Sequence, residues 1–144
     1  MRMNLFVIHG PNLNLLGTRL PDLYGAMTLP EINRRIRAYA AGRRARVRIL
    51  QANCEGRIID AIHRQRRWAD WIILNPAAFT HYSYAIRDAI EACGVPAVEV
   101  HLTDIRKREP FRRKSVIAPV CRRQFMGFGW RSYIRAAQYC LDQK

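Results

Sequence analysis

A chain of 144 residues is long enough for one domain with a real core and too short for two, so residues 1–144 are read as a single domain. Hydrophobic residues make up 49% of it, which argues against disorder, and no apolar run approaches the ~20 residues of a membrane span. The net charge of +14 invites a nucleic-acid partner, and of the 25 basic residues only Lys107, Lys114 and Lys144 are lysines.

The arginines, however, are dispersed from Arg34 to Arg67, with one later cluster from Arg106 to Lys114 and no stacking aromatics between them. A solvated basic face, or attraction of a small anionic substrate, is the preferred reading, with an Arg-rich nucleic-acid binder as the alternative. The apolar part of MRMNLFVIHGPN is too short for a signal peptide. Cys54, Cys93, Cys121 and Cys140 are scattered without a CxxC pair, which argues against disulfides and structural zinc and for reduced thiols in the cytoplasm.

In chain order, Asn4 to Ile8 is a short apolar run that predicts a first strand. The long polar segment HGPNLNLLGTRLPDLYG, His9 to Gly25, shows neither helical nor strand period. Thr28 and Glu31 form a capping box that opens a helix with Ile32, Ile36, Tyr39 and Ala40 on one face and Gly42 as its stop. Val47 to Leu50 predicts a second strand, Glu55 to Trp68 a helix, and Trp71 to Leu74 a buried third strand. Ser83 to Cys93 is a helix ended by Gly94, and Ala97 to Val100 is a fourth strand. A polar stretch from Thr103 to Ser115 follows. A weaker strand falls between Val116 and Met126, and Trp130 to Leu141 is an amphipathic last helix.

Short buried strands alternating with helices predict an α/β fold, a flavodoxin-like five-stranded parallel sheet of order 2-1-3-4-5 with helices on both faces. Ligands in such sheets bind beyond the carboxyl ends of the strands, beside strand one. Three polar segments emerge there: His9 to Gly25, Asn75 to Tyr82, and His101 to Arg113. A structureless loop as long as the first is usually functional, and its Pro and Gly content suggests a lid over a site.

The chemistry available is narrowed by what the sequence omits. HExxH, GxSxG and P-loop patterns do not occur, and HGPNLNLLG does not supply a GxGxxG dinucleotide fingerprint. Cofactor-free, metal-free chemistry on a small polar molecule is the expectation. His101 ends strand four, where an imidazole can serve as general acid near neutrality. Tyr24 has a bland reading, a ring packed at a turn, and a functional one, a phenol acting as base. An ordinary phenol is only ~0.1% ionised at pH 7, so such a base needs about 4 kcal/mol of favourable interaction with its anion. Arg19 and Arg108 are the candidate cations.

HGPNLNLLGTR, PDLYG, ILNPAAFTHYS, VEVHLTDI and REPFRRKS, in this order and spacing, resemble type II 3-dehydroquinate dehydratases over Asn4 to Tyr139. The resemblance implies a homododecamer, a tetramer of trimers, that removes water from 3-dehydroquinate by anti elimination through an enolate. That step serves the shikimate pathway of aromatic amino acid biosynthesis and also quinate breakdown. Carried over motif by motif, Tyr24 is the base at carbon 2 and Arg19 its activator. Asn12 helps hold a water at the enolate oxygen, His101 protonates the leaving hydroxyl, and Arg108 supports the loop. Substrate contacts fall to Asn75, His81, the backbone at Leu102 and Thr103, and Arg112. Asp88 sits at a subunit contact that completes a neighbouring site. Departures from the family pattern are Leu20 for Glu, Ala77 for Gly, Phe79 for Tyr, Tyr82 for Thr, Thr103-Asp104 for Ser-Asn, and Ser132 for Gly. Asp104 adds a negative charge near the expected carboxylate site.

Overall fold

Five strands run through the computed structural model, which describes residues 1–18 and 20–143. They are β1 (Asn4–His9), β2 (Arg46–Gln51), β3 (Trp71–Asn75), β4 (Ala97–His101) and β5 (Arg123–Met126), all parallel, in the order β2-β1-β3-β4-β5. This is the flavodoxin-like order expected from the alternating pattern.

Side-chain alternation divides the core. Leu5 and Val7 of β1 and Trp71 and Ile73 of β3 face a layer made by α2 (Leu29–Gly42) and α5 (Arg131–Asp142), whose Ile32, Ile36, Tyr133 and Ala137 are buried there. Phe6 and Ile8 of β1 and Ile72 and Leu74 of β3 face the opposite layer, made by α3 (Glu55–Gln65) and α4 (Tyr84–Cys93), with Ile58, Ile62, Ile86 and Ile90. None of the described helices is long and apolar enough to cross a membrane.

The strands run further than their apolar residues. Each of β1 to β4 continues by one polar residue past the predicted end, at His9, Gln51, Asn75 and His101. Ladder hydrogen bonds are made by backbone, so a polar side chain does not end a strand if it finds a partner of its own. The segment after β1 is also more regular than its composition suggests. It holds a 3-10 turn at Leu13–Leu15 and a one-turn helix, α1 (Pro21–Tyr24), opened by Pro at its first position and closed by Gly25 N–H donating to the Pro21 carbonyl at 2.7 Å.

Thr28 caps α2 as expected, its Oγ1 accepting from the Glu31 N–H at 3.4 Å. Gly42 is the last helical residue instead of the stop; Arg44, at φ 56°, makes the left-handed turn. The helix α3 ends at Gln65, not Trp68; beyond it the Trp68 N–H closes a tighter three-residue turn on the Gln65 carbonyl at 2.9 Å. Four of the arginines stand over aromatic rings: Arg48 over Trp68 at 4.1 Å, Arg135 over Phe128 at 3.8 Å, and Arg35 and Arg131 over Trp130 at 5.1 and 4.8 Å.

Candidate active site

At the carboxyl ends of β1, β3 and β4 a cleft is lined by Asn12, Tyr24, Asn75, His81, His101, Leu102, Thr103, Arg108 and Arg112. Every expected site residue is therefore there except two. Arg19 lies outside the described residues. Asp88 is exposed on α4 and does not line this chain's cleft.

Close backbone crossing brings the loops together. The Gly10 N–H donates to the Asn75 carbonyl at 2.8 Å, and a Cβ at position 10 would stand 2.5 Å from the Pro76 carbonyl oxygen, so only glycine fits. Ala77, at φ 53°, occupies a left-handed position that costs a residue with a Cβ about 1 kcal/mol, which accounts for the glycine implied there by the resemblance. Its N–H donates to Asn75 Oδ1 at 3.1 Å. Asn12 is left-handed at φ 68° and anchored by its N–H to Asn53 Oδ1 at 3.0 Å.

Tyr24 meets Arg108. The guanidinium donates from Nη1 to Tyr24 Oη at 3.3 Å and to Thr103 Oγ1 at 3.4 Å, and stands 5.5 Å from the centre of the Tyr24 ring. Burial alone would lower the Arg108 pKa, but the hydrogen bonds to Tyr24 and Glu109 outweigh it and hold the group above its ordinary value. Glu109 accepts from Arg108 Nε at 3.1 Å and Arg112 Nε at 2.9 Å, clasping both cations. Its own backbone N–H, then Arg112 and Arg108, bring its pKa down to about 2.

His101 is backed by a carboxylate that sequence reasoning missed. Its Nε2–H donates to Glu99 Oε2 at 2.5 Å, which leaves Nδ1 as the nitrogen available to the cleft. Glu99 is fully buried and also accepts from Ser115 Oγ at 2.8 Å and Gln124 Nε2 at 3.1 Å. The signal was present: a lone charge inside the apolar strand AVEVH, two residues before a histidine and so on the same face.

His81 donates from Nδ1 to the Lys114 carbonyl at 2.7 Å, leaving Nε2 as an acceptor. Burial lowers its pKa, and the neighbouring His101 and Arg112 act in the same direction, so the ring is a neutral acceptor suited to a substrate hydroxyl.

The negative charge expected from Asp104 does not reach the cleft. Arg106 holds it from Nε at 2.9 Å and Nη2 at 2.8 Å, the backbone N–H of Arg106 adds a third bond, and Asp104 is not among the cleft residues. Ser132, where the resemblance implies Gly, is fully buried in the first turn of α5, and its Oγ accepts from the Phe128 N–H at 3.1 Å. Tyr82 is exposed and packs edge-on against Phe79, outside the cleft.

A phenol under a guanidinium, an imidazole backed by a carboxylate and a neutral imidazole acceptor can together abstract a proton from carbon and protonate a departing oxygen. Comparison with known proteins agrees. The family model described as dehydroquinase class II matches residues 3–141. The chain is 52% identical over 140 residues to a 3-dehydroquinate dehydratase of Desulfitobacterium hafniense, covering 96% of this chain and 94% of that one. It is 51% identical to one of Dictyoglomus turgidum, covering 94% of each. The crystal structure of a type II dehydroquinase from Butyrivibrio crossotus superposes with a TM-score of 0.95 at 40% identity, covering 96% of this chain and 97% of that one. The chain belongs to the class II dehydroquinase family.

Proposed function

We propose that this chain, as a single catalytic domain, dehydrates 3-dehydroquinate to 3-dehydroshikimate. The observation that carries the reading is the convergence of Tyr24, Arg108 and His101 on one cleft in a chain of this family. In the proposed cycle the Tyr24 phenolate, stabilised by Arg108 and by Arg19, takes a proton from carbon 2. Charge moves onto the ketone oxygen as an enolate, to which Asn12 presents a water. The enolate collapses, the carbon 1–oxygen bond breaks, and His101 gives its proton so that hydroxide leaves as water. Tyr24 is then protonated and His101 deprotonated; one proton passing through solvent from the first to the second restores both.

Binding fits the substrate's chemistry. A ring carrying a carboxylate and hydroxyls meets the Leu102 and Thr103 backbone, Arg112, the Asn75 amide and the neutral His81. Glu99 keeps His101 oriented and supports the imidazolium before proton transfer. The assembly we infer is a dodecamer, a tetramer of trimers working in the cytoplasm, with Asp88 meeting a neighbouring subunit; its exposure on α4 supports that role. The pathway we infer is the shikimate route.

The test is direct. Purified protein given 3-dehydroquinate should produce the conjugated enone, followed by its ultraviolet absorbance. Tyr24→Phe should abolish the signal without changing the circular dichroism spectrum. Retained turnover in that variant removes the assigned base.

A further inference from the structure

Behind the cleft, Asn75 ends a buried chain of hydrogen bonds that the proposed chemistry does not use. The Ala77 N–H donates to Asn75 Oδ1, and since an N–H cannot accept, this sets the amide's orientation. The amide nitrogen then donates to Tyr133 Oη at 3.0 Å. Tyr133 Oη lies 2.8 Å from His9 Nδ1, and His9 Nε2 lies 2.8 Å from Asn33 Oδ1.

Only one direction of protons satisfies all of these groups. Asn33 Oδ1 accepts, so His9 carries its hydrogen on Nε2. Its bare Nδ1 then accepts the Tyr133 O–H, and Tyr133 Oη accepts from Asn75. With His9 protonated on Nδ1, the Tyr133 oxygen would face two donors, and its own O–H, with no exposed surface, would have no acceptor. Burial also brings the His9 pKa down to about 4, so the ring is neutral at physiological pH. The ring planes of His9 and Tyr133 meet edge-on, with centroids 5.0 Å apart.

We propose that His9 and Tyr133 are positioning residues: they commit one N–H of Asn75 to the core so that the other is presented, at a set angle, to the substrate. The proposal rests on the reading of Asn75 as a substrate contact. It makes Tyr133, deep in α5, and His9, at the end of β1, determinants of substrate affinity although neither lines the cleft.

A double-mutant cycle on the full-length enzyme tests this. Tyr133→Phe keeps the ring and should raise KM about tenfold while kcat stays within about threefold, the size of one misaligned hydrogen bond. In an Asn75→Ala background the same change should move KM by less than about twofold, because the group it positions is gone. A merely structural role for Tyr133 would give additive effects and overturn the proposal. His9→Leu should reproduce the KM rise. His9→Asn, whose carbonyl takes the place of Nδ1 and accepts the Tyr133 hydroxyl, should recover most of the loss.

Nitrogen-15 spectra of the imidazoles supply a readout independent of turnover: His9 should be the Nε2–H tautomer, with an Nδ1 shift that moves in Tyr133→Phe. An Nδ1–H tautomer overturns the chain's direction and the proposal with it. An unchanged KM in Asn75→Ala alone removes the substrate contact and therefore also the proposal. Failure of the dehydratase reading would appear separately, as unaltered protein that turns over nothing while the His9 spectra still decide the proton order.

Discussion

Arg108→Met removes the described cation that touches Tyr24 while keeping most of the side chain's length. The donating nitrogen lies 3.3 Å from the Tyr24 oxygen. A unit charge at that distance stabilises a phenolate by about 5 kcal/mol at an effective dielectric of about 20 and by about 1.3 kcal/mol in bulk water. The Arg108 side chain is only 13% exposed, which favours the larger figure, but Glu109 draws on the same guanidinium through Nε and reduces it. About 2–3 kcal/mol remains, a loss of about 30- to 160-fold in kcat/KM. Steady-state rates from the enone's absorbance measure it, with KM and kcat separated. The loss should fall mainly on kcat, because the phenolate is needed for the chemical step. Arg108→Lys keeps a point charge but loses the fork that reaches Thr103 and Glu109, and should fall between the two. A kcat/KM within threefold of the unaltered enzyme in Arg108→Met, or a loss confined to KM, would refute the assignment of Arg108 to the base.

Tyr24→Phe and His101→Ala should each lower kcat by about 10²- to 10⁴-fold; the melting temperature should hold in Tyr24→Phe and fall in His101→Ala, which leaves the buried Glu99 carboxylate without its imidazole donor. A His101→Ala enzyme with near-normal turnover removes the general acid. Gly10→Ala should destabilise the protein by about 1–3 kcal/mol in chemical denaturation, since its Cβ meets the Pro76 backbone; an unchanged midpoint contradicts the crossing described here. His9 is neutral when folded down to a pKa of about 4, against 6.5 when unfolded. Below pH 6.5 the unfolded chain takes up the proton first, so stability should fall by about 3 kcal/mol between pH 6.5 and 4 and gain no further loss from this group below that. His9→Asn should flatten that part of the profile, and identical profiles for the two proteins would reject the buried neutral histidine. The Glu109 carboxyl, clasped by Arg112 and Arg108, should titrate near pH 2 in carbon-13 spectra; a midpoint above 4 would show the clasp to be open in solution.

The order of the sheet was legible because each strand is a short apolar run between turn signals, and that pattern does not depend on any single residue. Strand ends were less legible, because apolarity stops at Ile8, Leu50, Leu74 and Val100 while the backbone ladder continues for one residue more. Those extra residues matter most: His9, Asn75 and His101 belong to the polar structure around the cleft. Tyr24, His101 and Arg108 could be found from residue type and placement after a strand. Glu99 left a signal of another kind, a lone charge in an apolar strand on the face of His101, and Tyr133 left none. A Tyr on an amphipathic helix acquires its role only when the fold shows what it touches. Asp104 shows the converse: its charge was visible, but the neutralising contact with Arg106 is a matter of geometry.

The period of the strand explains why these hidden residues form two separate groups. His9 and Asn75 are paired across β1 and β3, both in register with the residues that face α2 and α5, so their side chains meet Asn33 and Tyr133 on that side of the sheet. Glu99 and His101 stand in register with Ala97, which belongs to the opposite layer, and Glu99 there meets Ser115 and Gln124. The upper rim of one parallel sheet thus carries a buried polar network on each face: a neutral one behind the amide proposed to bind substrate, and an anionic one behind the proposed acid. The chemistry asks for this separation. An amide that must hold a fixed angle is best backed by hydrogen bonds whose direction does not change with pH, which the neutral His9 provides. An acid that must carry a proton is best backed by a carboxylate, which stabilises the imidazolium. A glutamate in the first network or a neutral acceptor in the second would reverse those properties, and a register shift of one residue in β1 or β4 would turn each network to the wrong layer.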